Sequence, residues 1–165
     1  MKIATELVCQ YFESPMGRML LAASAKGLAG VWFVGQRHGP TDVQWREDPD
    51  HPVLCAATAQ LREYFAGTRT QFELPLDLAY GTPFQQSVWQ ALLAIPPGAT
   101  TSYTELGRRV GRPQAARAIG AAVGRNPVSI VVPCHRVLGT AGALTGYAGG
   151  IERKSALLKL EGALM

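Results

Sequence analysis

Cysteine is scarce in this chain of 165 residues, which has three: Cys9, Cys55 and Cys134. None forms a CxxC pair and an odd number cannot pair completely, so the sequence argues against a disulfide framework and favours a reducing compartment. Long apolar runs are also missing, because no stretch approaches the roughly 18 residues of a membrane helix. Glu6 and Glu13 interrupt the N-terminal stretch where an export signal would be apolar. We therefore expect a cytoplasmic protein with no membrane partner.

Acidic residues are scarce in the second half of the chain. Residues 86–165 carry nine Lys and Arg against three Asp and Glu, whereas residues 1–85 carry seven against nine. Clustered cations gain free energy by displacing counterions from a phosphate backbone, so the asymmetry favours a polyanionic partner for the C-terminal half. The apolar fraction of 47% is enough to form a core in one domain or in two small lobes.

The first third of the chain has the pattern of an antiparallel sheet. Residues 7–14, 18–24 and 28–35 read as three strands, and the turns between them contain Gly17 and Gly27. Glycine is suited to these turns because it adopts backbone angles that other residues avoid. The N-terminal region is therefore predicted to be a small three-stranded lobe.

A polar segment rich in Pro, Gly and Asp at 36–52 predicts a long surface loop. A helix is predicted over 53–67, after which 70–83 passes the chain to a second lobe that begins with a core helix over 84–95. The apolar side of the first helix is expected to consist of Leu54, Thr58, Leu61 and Phe65.

Two short helices are predicted next. Ser102 and Glu105 have the spacing of a capping box, which favours a helix over 103–110. A second helix is predicted over 113–124 with Pro113 in its first turn, after a connection of about three or four residues. This arrangement is typical of a DNA-binding helix-turn-helix, and an ordinary helical hairpin is the alternative.

The second of these helices is unusually slim, and Arg117 is its one long cation. A helix with ordinary side chains is about 10–12 Å across, whereas the minor groove of DNA is about 6 Å wide. Small residues would allow the helix to approach that groove, although they would equally suit close packing against another helix. The small residues are Ala115, Ala116, Ala118, Gly120, Ala121 and Ala122.

The stretch VVPCHRV at 131–137 places Cys134 beside a base and a cation, His135 and Arg136. A reactive thiol needs such neighbours because its ordinary pKa is about 8.5. Adjacent residues of a regular strand point to opposite faces, so His135 would need either a backbone turn at Pro133 or a bridging water to reach the sulfur. We expect a bridging water.

A carboxylate would suit the far nitrogen of His135, where it would fix the tautomer. The second half of the chain has three candidates, Glu105, Glu152 and Glu161. Glu105 is assigned to the helix cap, and spacing leaves Glu152 and Glu161 open.

A glycine-rich loop at 139–150 contains Tyr147 and precedes a helix predicted over 151–160. No Gly-Lys-Ser/Thr follows the glycines, which argues against nucleoside triphosphate binding. We expect no metal and no cofactor, because the residues that could ligate zinc lack zinc-site spacing. These are Cys9, His38, His51 and Cys55, of which the two cysteines are interpreted as small buried apolar residues.

The motifs together resemble the O6-alkylguanine-DNA alkyltransferases, also called methylated-DNA protein-cysteine methyltransferases. The resemblance is close over 82–162 and loose in the N-terminal lobe. It rests on PCHRV within 131–137, the preceding Asn126-Pro127, LTGYAGG at 144–150 and LLKLEG at 157–162.

The resemblance implies an α/β (α+β) fold in two parts. Residues 1–80 would form a ribonuclease-H-like supporting lobe with a three-stranded antiparallel sheet and a helix. Residues 81–165 would form a mostly helical DNA-binding and alkyltransferase domain with a helix-turn-helix and the active-site cysteine.

The resemblance also implies residue roles. Cys134 would accept the alkyl group, His135 would act as the base through water, and Glu161 would hold the imidazole. Asn126 would tie the helix-turn-helix to the active-site segment, and Arg117 would fill the space that the flipped nucleotide leaves.

Seven further residues complete the predicted site. Tyr103 would press on the target phosphate and donate a hydrogen bond to the guanine. Tyr147 would line the pocket together with the backbone around Val137 and Ala148. Arg125 departs from the small or amide residue of many relatives and is interpreted as an added phosphate contact. Ala116 and Ala118 would lie on the DNA-facing side of the slim helix.

The implied function is direct-reversal DNA repair. The partner would be double-stranded DNA containing O6-alkylguanine, with O4-alkylthymine left open, and each molecule would act once because a thioether resists hydrolysis. We expect a monomer, with clustering on DNA left open. A Cys-His-Glu hydrolase and a non-catalytic helix-turn-helix DNA-binding protein are the alternatives.

Overall fold

The computed structural model describes residues 6–165, and its N-terminal part contains a four-stranded sheet. Strands β1 (Val8–Ser14), β2 (Gly17–Ser24) and β3 (Gly27–Phe33) are antiparallel neighbours, as predicted. Strand β4 (Arg46–Glu47) pairs in parallel with β1, giving the order β3-β2-β1-β4. The segment 36–52, which contains β4, was predicted to be a loop throughout, because two exposed polar residues carry no strand pattern.

Glycine is required at both turns of the sheet. Gly17 has a backbone φ of 118° and Gly27 one of 150°, and residues with a side chain rarely adopt either value. A Cβ at Gly27 would also lie 2.6 Å from the carbonyl oxygen of Pro75, so the close approach of that chain depends on glycine.

Helix α1 (Pro52–Phe65) packs on the sheet and corrects the predicted apolar side. Its fully buried residues follow the spacing 54, 57, 61 and 64, so Ala57 and Tyr64 face the core and Thr58 does not. Phe65 is half-buried but packs against the core, as predicted. Cys55 is exposed, and its interpretation as a buried residue was wrong because it lies outside this spacing. Cys9, on β1, is buried as expected.

The second half of the chain contains the remaining helices: α2 (Pro83–Leu93), α3 (Tyr103–Arg109), α4 (Ala116–Gly124) and α5 (Ile151–Leu160). Trp89 on α2 is fully buried and its indole N–H donates to the Ala122 carbonyl on α4 at 2.8 Å. This contact fixes α4 against the core. No helix of residues 6–165 is long and apolar enough to cross a bilayer.

The connection between α3 and α4 corrects two details of the predicted helix-turn-helix. It spans 110–115, longer than three or four residues, and Pro113 lies in it rather than in the first turn of α4. The Arg112 amide donates to the Gly107 carbonyl at 2.7 Å, so the chain turns once more before α4 begins. Gly107 permits this turn, since a Cβ there would lie 2.8 Å from the Arg112 carbonyl oxygen.

The predicted capping box of α3 is half formed. The Ser102 hydroxyl accepts from the Glu105 amide at 3.0 Å, but the Glu105 carboxylate pairs with Arg108 at 3.1 Å. A complete capping box occurs instead at α2, between Thr82 and Gln85, where the sequence interpretation had not placed one.

The edge of β3 joins the two parts of the molecule. The Val31 amide donates to the Pro127 carbonyl at 2.8 Å, and the Ser129 amide donates to the Val31 carbonyl at 3.0 Å. One apolar cluster includes buried residues of β1–β3, α1, α2, α4 and the segment that follows α4. The segment that leads to Cys134 is therefore held against the sheet.

Candidate active site

Cys134 lies in a series of tight turns between α4 and strand β6 (Val137–Leu138), which pairs in parallel with β5 (Thr101–Ser102). The Val132 amide donates to the Val128 carbonyl at 2.9 Å, and Cys134–Arg136 form a single 3₁₀ turn. Ile130 adopts φ of 72°, a conformation that costs a non-glycine residue about 1–3 kcal/mol. Because the chain turns here, the side chains of the 3₁₀ turn are all buried rather than alternating across a strand.

His135 and Glu161 form a buried pair. His135 Nε2 lies 2.7 Å from Glu161 Oε2, and the two side chains are 0% and 2% exposed. Hydrogen bonds from His135 and Arg136 hold the pKa of Glu161 at about 2 against the opposing effect of burial. The ionised carboxylate can only accept, so the proton of the neutral imidazole is on Nε2 and Nδ1 keeps a lone pair.

The imidazole is a neutral base in this environment. Burial lowers the pKa of His135, although the hydrogen bond to Glu161 opposes that shift. Its Nδ1 is buried and makes no hydrogen bond to any residue that the structure describes. Nδ1 is therefore the atom available to take a proton.

Arg136 binds the same carboxylate. Its Nε donates to Glu161 Oε1 at 2.8 Å and its Nη2 to Oε2 at 2.9 Å, while Nη1 donates to the Ile95 carbonyl at 2.6 Å. The guanidinium was expected to act on the thiol, and this expectation was wrong because the side chain turns towards α5. It neutralises Glu161 instead.

Lys154 supplies the positive charge that acts on Cys134. Its side chain is fully buried, and Nζ donates to the carbonyls of Val137 at 2.5 Å and Thr145 at 2.7 Å. Burial lowers its pKa to about 8, and the charge of Cys134 opposes this shift. The ammonium thus joins the segment after Cys134 to the glycine-rich loop.

The Cys134 sulfhydryl is protonated at neutral pH. Burial raises its pKa to about 11, and a hydrogen bond from Asn126 and the charge of Lys154 oppose the rise. The side chain is 5% exposed. Any reaction at this sulfur therefore requires a base that takes the proton as the new bond forms.

Asn126 braces the turns from the end of α4. Its Nδ2 donates to the Val132 carbonyl at 2.7 Å, and its Oδ1 accepts from the Val128 amide at 3.0 Å. The residue is 4% exposed. It connects the helix-turn-helix to the active-site segment by direct contact.

A groove of about 1330 Å³ lies next to this site, and neither Cys134 nor His135 is among its lining residues. Helix α4 lines one side of the groove with Ala116 and Arg117, whereas Ala118 is exposed and does not line it. Arg125, at the end of α4, is also exposed and lines the groove. Ala116, Arg117 and Arg125, which were predicted from the sequence to face DNA, thus line one groove, whereas Ala118 does not.

Tyr103, Tyr147 and Ala148 also line the groove. The Tyr103 hydroxyl lies 3.5 Å from the Gly146 carbonyl, and burial raises its pKa, so the phenol stays protonated. The Tyr147 hydroxyl is buried beside Ser129 without a hydrogen bond of good geometry among the described residues. Val137 is fully buried behind Leu138, which lines the groove in its place.

The N-terminal lobe also reaches the groove. Arg37 and His38 lie on its wall, and the Arg37 amide donates to the Ala148 carbonyl at 3.1 Å. Burial lowers the pKa of His38, and the charges of Arg125 and Arg37 add to this shift. Neither residue was predicted, because both belong to a polar segment that carries no motif.

Potential metal ligands are not clustered. In the range 6–165, no group of three or more His, Cys, Asp or Glu side chains is arranged to hold a metal ion. Among the four residues considered from the sequence, Cys9 is buried near the Trp45 carbonyl, at 3.7 Å, and Cys55 Sγ contacts the Pro49 carbonyl at 3.2 Å.

Family profiles match most of the chain. Residues 83–163 match "6-O-methylguanine DNA methyltransferase, DNA binding domain", and residues 7–78 match "6-O-methylguanine DNA methyltransferase, ribonuclease-like domain". The chain belongs to the 6-O-methylguanine DNA methyltransferase family. The family resemblance drawn from the sequence is thereby confirmed.

Relatives in this family are similar over nearly their whole length. Methylated-DNA--protein-cysteine methyltransferase of Mycobacterium leprae is 49% identical over 93% of this chain and 91% of its own. The Methanosarcina acetivorans protein of the same name is 46% identical, with 92% and 96% covered. The crystal structure of Mycobacterium tuberculosis OGT in complex with DNA superposes with a TM-score of 0.86 at 47% identity, covering 94% of this chain and 93% of that one.

Two side chains at the centre of the methyltransferase site were not identified from the sequence. Tyr64 donates to Glu161 Oε2 at 2.6 Å, and Lys154 donates to the carbonyls of Val137 and Thr145. Each is a polar residue at a buried position of an amphipathic helix, next to Leu61 and Leu157. A buried polar residue in an apolar pattern is a signal that the sequence contained.

Proposed function

We propose that this protein repairs DNA by moving the alkyl group of O6-alkylguanine to Sγ of Cys134, once per molecule. The observation that carries the proposal is the arrangement of the site: a buried thiol next to a neutral imidazole, which a buried carboxylate orients, beneath a groove lined by the helix-turn-helix. Membership in a family with a DNA-binding domain supports the same assignment.

The chemistry begins with the Cys134 proton. His135 accepts that proton at Nδ1 through a bridging water, and the imidazolium that forms is stabilised by Glu161. The thiolate attacks the alkyl carbon, the new S–C bond forms as the C–O6 bond breaks, and the electron pair goes to the guanine. A hydrogen bond from Tyr103 stabilises the developing negative charge on the leaving base.

The products balance without a cofactor. The guanine regains its O6 carbonyl and takes up a proton at N1. The proton removed from the Cys134 thiol can supply it. Cys134 is left as a thioether, which water does not hydrolyse under mild conditions. The protein is thus consumed by its own reaction.

Helix α4 is proposed to enter the minor groove of the duplex. Apart from Arg117, the residues by which α4 lines the groove are small, and a Cβ placed at Gly120 or Gly124 would meet no atom within 4 Å. These glycines are therefore not explained by packing inside the protein. They leave the clearance that a close approach to DNA requires.

The damaged base must leave the helix to react. Cys134 is 5% exposed and lies below the groove, where a base stacked in duplex DNA could not reach it. We propose that the base is flipped into the space beside Tyr103, Tyr147 and Ala148, behind which Val137 packs. Arg117 would occupy the gap in the base stack and Arg125 would contact a phosphate. Ala116 and Ala118 would face the floor of the DNA minor groove.

Support and chemistry are divided between two parts of the chain. We propose residues 1–80 as a ribonuclease-H-like supporting lobe and 81–165 as the DNA-binding and alkyltransferase domain. We propose that the protein acts in the cytoplasm as a monomer. The free thiols of Cys9, Cys55 and Cys134 support a reducing compartment.

Peptide mapping tests the proposal directly. The protein is incubated with a duplex containing O6-methylguanine, digested and examined by mass spectrometry. The expected result is a gain of one methylene mass on the Cys134 peptide, with unmodified Cys9 and Cys55 peptides as internal controls. Methylation of either control peptide, or an unmodified Cys134 peptide, would contradict the proposal.

Arg117→Ala should slow transfer from duplex DNA by about 10- to 100-fold, because a few kcal/mol of unstacking free energy would no longer be offset. Arg117 is exposed and makes no hydrogen bond or ion pair in the described part of the chain, so the fold should be unaffected. The measurement is the single-turnover transfer rate on a duplex and on the same lesion in a single strand. The defect should be much smaller on the single strand.

Arg117→Lys separates charge from shape in that experiment. It keeps the cation but loses the planar guanidinium that can stack on bases. An intermediate rate is expected. Equal losses on duplex and single strand would assign Arg117 to general DNA affinity instead.

A further inference from the structure

Tyr64 brings the N-terminal lobe into contact with the reacting groups. It lies on α1, 97 positions before Glu161, and its hydroxyl donates to Glu161 Oε2 at 2.6 Å. The residue is 2% exposed, and its ring packs at 5.5 Å against each of Phe65 and Phe72. The hydroxyl is therefore held in place by its surroundings.

The oxygen that Tyr64 contacts is the one that orients His135. Glu161 Oε2 accepts from Tyr64, from His135 Nε2 at 2.7 Å and from Arg136 Nη2 at 2.9 Å. Glu161 Oε1 accepts from Arg136 Nε at 2.8 Å. Three donors share one oxygen, so each reduces the negative charge that the others experience.

We propose that Tyr64 is a positioning residue for alkyl transfer, which aims Glu161 Oε2 at His135 and limits how strongly that oxygen stabilises the imidazolium. The inference rests on the proposed function, and it gives the N-terminal lobe a part in the chemistry. Tyr64 acts through Glu161 and does not touch the substrate.

The phenol remains a donor throughout the working range of pH. Burial and the adjacent Glu161 raise the pKa of Tyr64 far above its usual 10. Ionised Tyr64 therefore plays no part, and the hydroxyl proton is always available to Glu161. Removing it should leave more negative charge facing His135 and raise the pKa of the imidazole.

Three other groups act on His135, Glu161 or Cys134. Arg136 contacts Glu161 directly, and Lys154 on α5 acts on His135 and Cys134 by its charge. Tyr147, from the glycine-rich loop, lies close enough to interact with Cys134 and Glu161, and its own pKa is raised well above the usual value. Removal of the Tyr64 hydroxyl leaves all of these groups in the protein, so a shift in the pKa of His135 reports on that hydroxyl.

Tyr64→Phe is the test, because it keeps the ring and removes the hydroxyl alone. Single-turnover transfer from a saturating O6-methylguanine duplex is measured across about pH 5 to 9. The rate falls on the acidic side as His135 becomes protonated. We expect this acidic limb to move to higher pH by about half a unit or more, with a plateau rate about 3- to 10-fold lower, while DNA affinity is unchanged.

Leu61→Val is the matched control. Leu61 lies on the same helix, one turn from Tyr64, is fully buried and has no polar side-chain atom that could bind Glu161. The control should lower the thermal midpoint and leave the pH profile of transfer unchanged. If Tyr64→Phe behaves in the same way, Tyr64 is merely structural and the inference is overturned.

A second variant covers the case in which Tyr64→Phe fails to fold. Replacement of Tyr64 by 3,5-difluorotyrosine keeps the hydroxyl and makes it a stronger donor, so the acidic limb should move to lower pH. An unchanged limb would overturn the inference. Absence of transfer by the unaltered protein would instead contradict the proposed function, and the two failures are thus distinguishable.

Discussion

Cys134→Ser should abolish alkyl transfer, with a rate lower by on the order of 10⁴-fold or more, while binding to DNA is retained. A serine hydroxyl has nearly the same size as the thiol, so the buried turn of Cys134–Arg136 should persist. The hydroxyl is far less acidic and less nucleophilic than a thiol, and neutral His135 cannot generate an alkoxide from it. We expect this result because the sulfur accepts the alkyl group and does not contribute to DNA binding.

Transfer and binding are measured separately. Transfer is followed as loss of O6-methylguanine from the duplex, and binding as the equilibrium affinity for the same duplex. Cys55→Ser is the control, because Cys55 is exposed and lies on α1 away from the groove. The control should transfer at the unaltered rate. Loss of DNA binding by Cys134→Ser would contradict the separate roles of the sulfur and the groove.

Glu161→Gln should lower both the transfer rate and the stability. The Glu161 carboxylate accepts hydrogen bonds from Tyr64, His135 and Arg136. A glutamine would turn its own NH2 donor towards one of these donors. The buried guanidinium of Arg136 would also lose its counter-charge. Removing one partner of a buried ion pair costs about 3–5 kcal/mol. The imidazole also loses the group that fixes its tautomer, so transfer should slow by on the order of 10³-fold.

The stability loss has a defined pH dependence. The pKa of Glu161 is depressed from 4.5 to about 2 in the folded protein, so the carboxylate stabilises the fold above the unfolded-state pKa. That contribution is lost as the pH falls through the folded value. The difference in unfolding free energy between the unaltered protein and Glu161→Gln should therefore be full above about pH 4.5 and shrink towards pH 2.

Glu152→Gln separates the two carboxylates that sequence spacing had left open. Glu152 lies in the first turn of α5 and is exposed, whereas the Glu161 side chain is 2% exposed at the other end of the same helix. The Glu152 variant should keep its transfer rate within about twofold and its stability within about 0.5 kcal/mol. A large rate loss in this variant, with little change in Glu161→Gln, would contradict the assignment.

Much of the fold was predictable because its patterns are local. The alternating strands, the turn glycines and the last helix carry their signals within a few residues, and α5 occupies 151–160 as predicted. Strand β4 and the β5–β6 pair were not predictable, since each strand has two residues and depends on a distant partner. The late start of α4 likewise depends on the Arg112–Gly107 hydrogen bond, which no local pattern encodes.

The site was predictable where a motif names its residues. Cys134, His135 and Asn126 lie in one contiguous stretch, and the structure places Glu161 against His135. Tyr64, Lys154 and Arg37 reach the same place from three separate segments, and only the folded chain brings them together. For Arg136 the sequence suggested a contact that the structure does not have. Its adjacency to Cys134 predicted an effect on the thiol, whereas the 3₁₀ turn directs its guanidinium to Glu161.

The most direct test of the account is the stoichiometry of transfer. Successive portions of O6-methylguanine duplex are added to a fixed amount of protein, and repaired duplex and methylated Cys134 are counted after each addition. The account predicts that both rise together and stop at one per protein molecule. Repair that continues beyond one equivalent, or that proceeds without methylated Cys134, would contradict it.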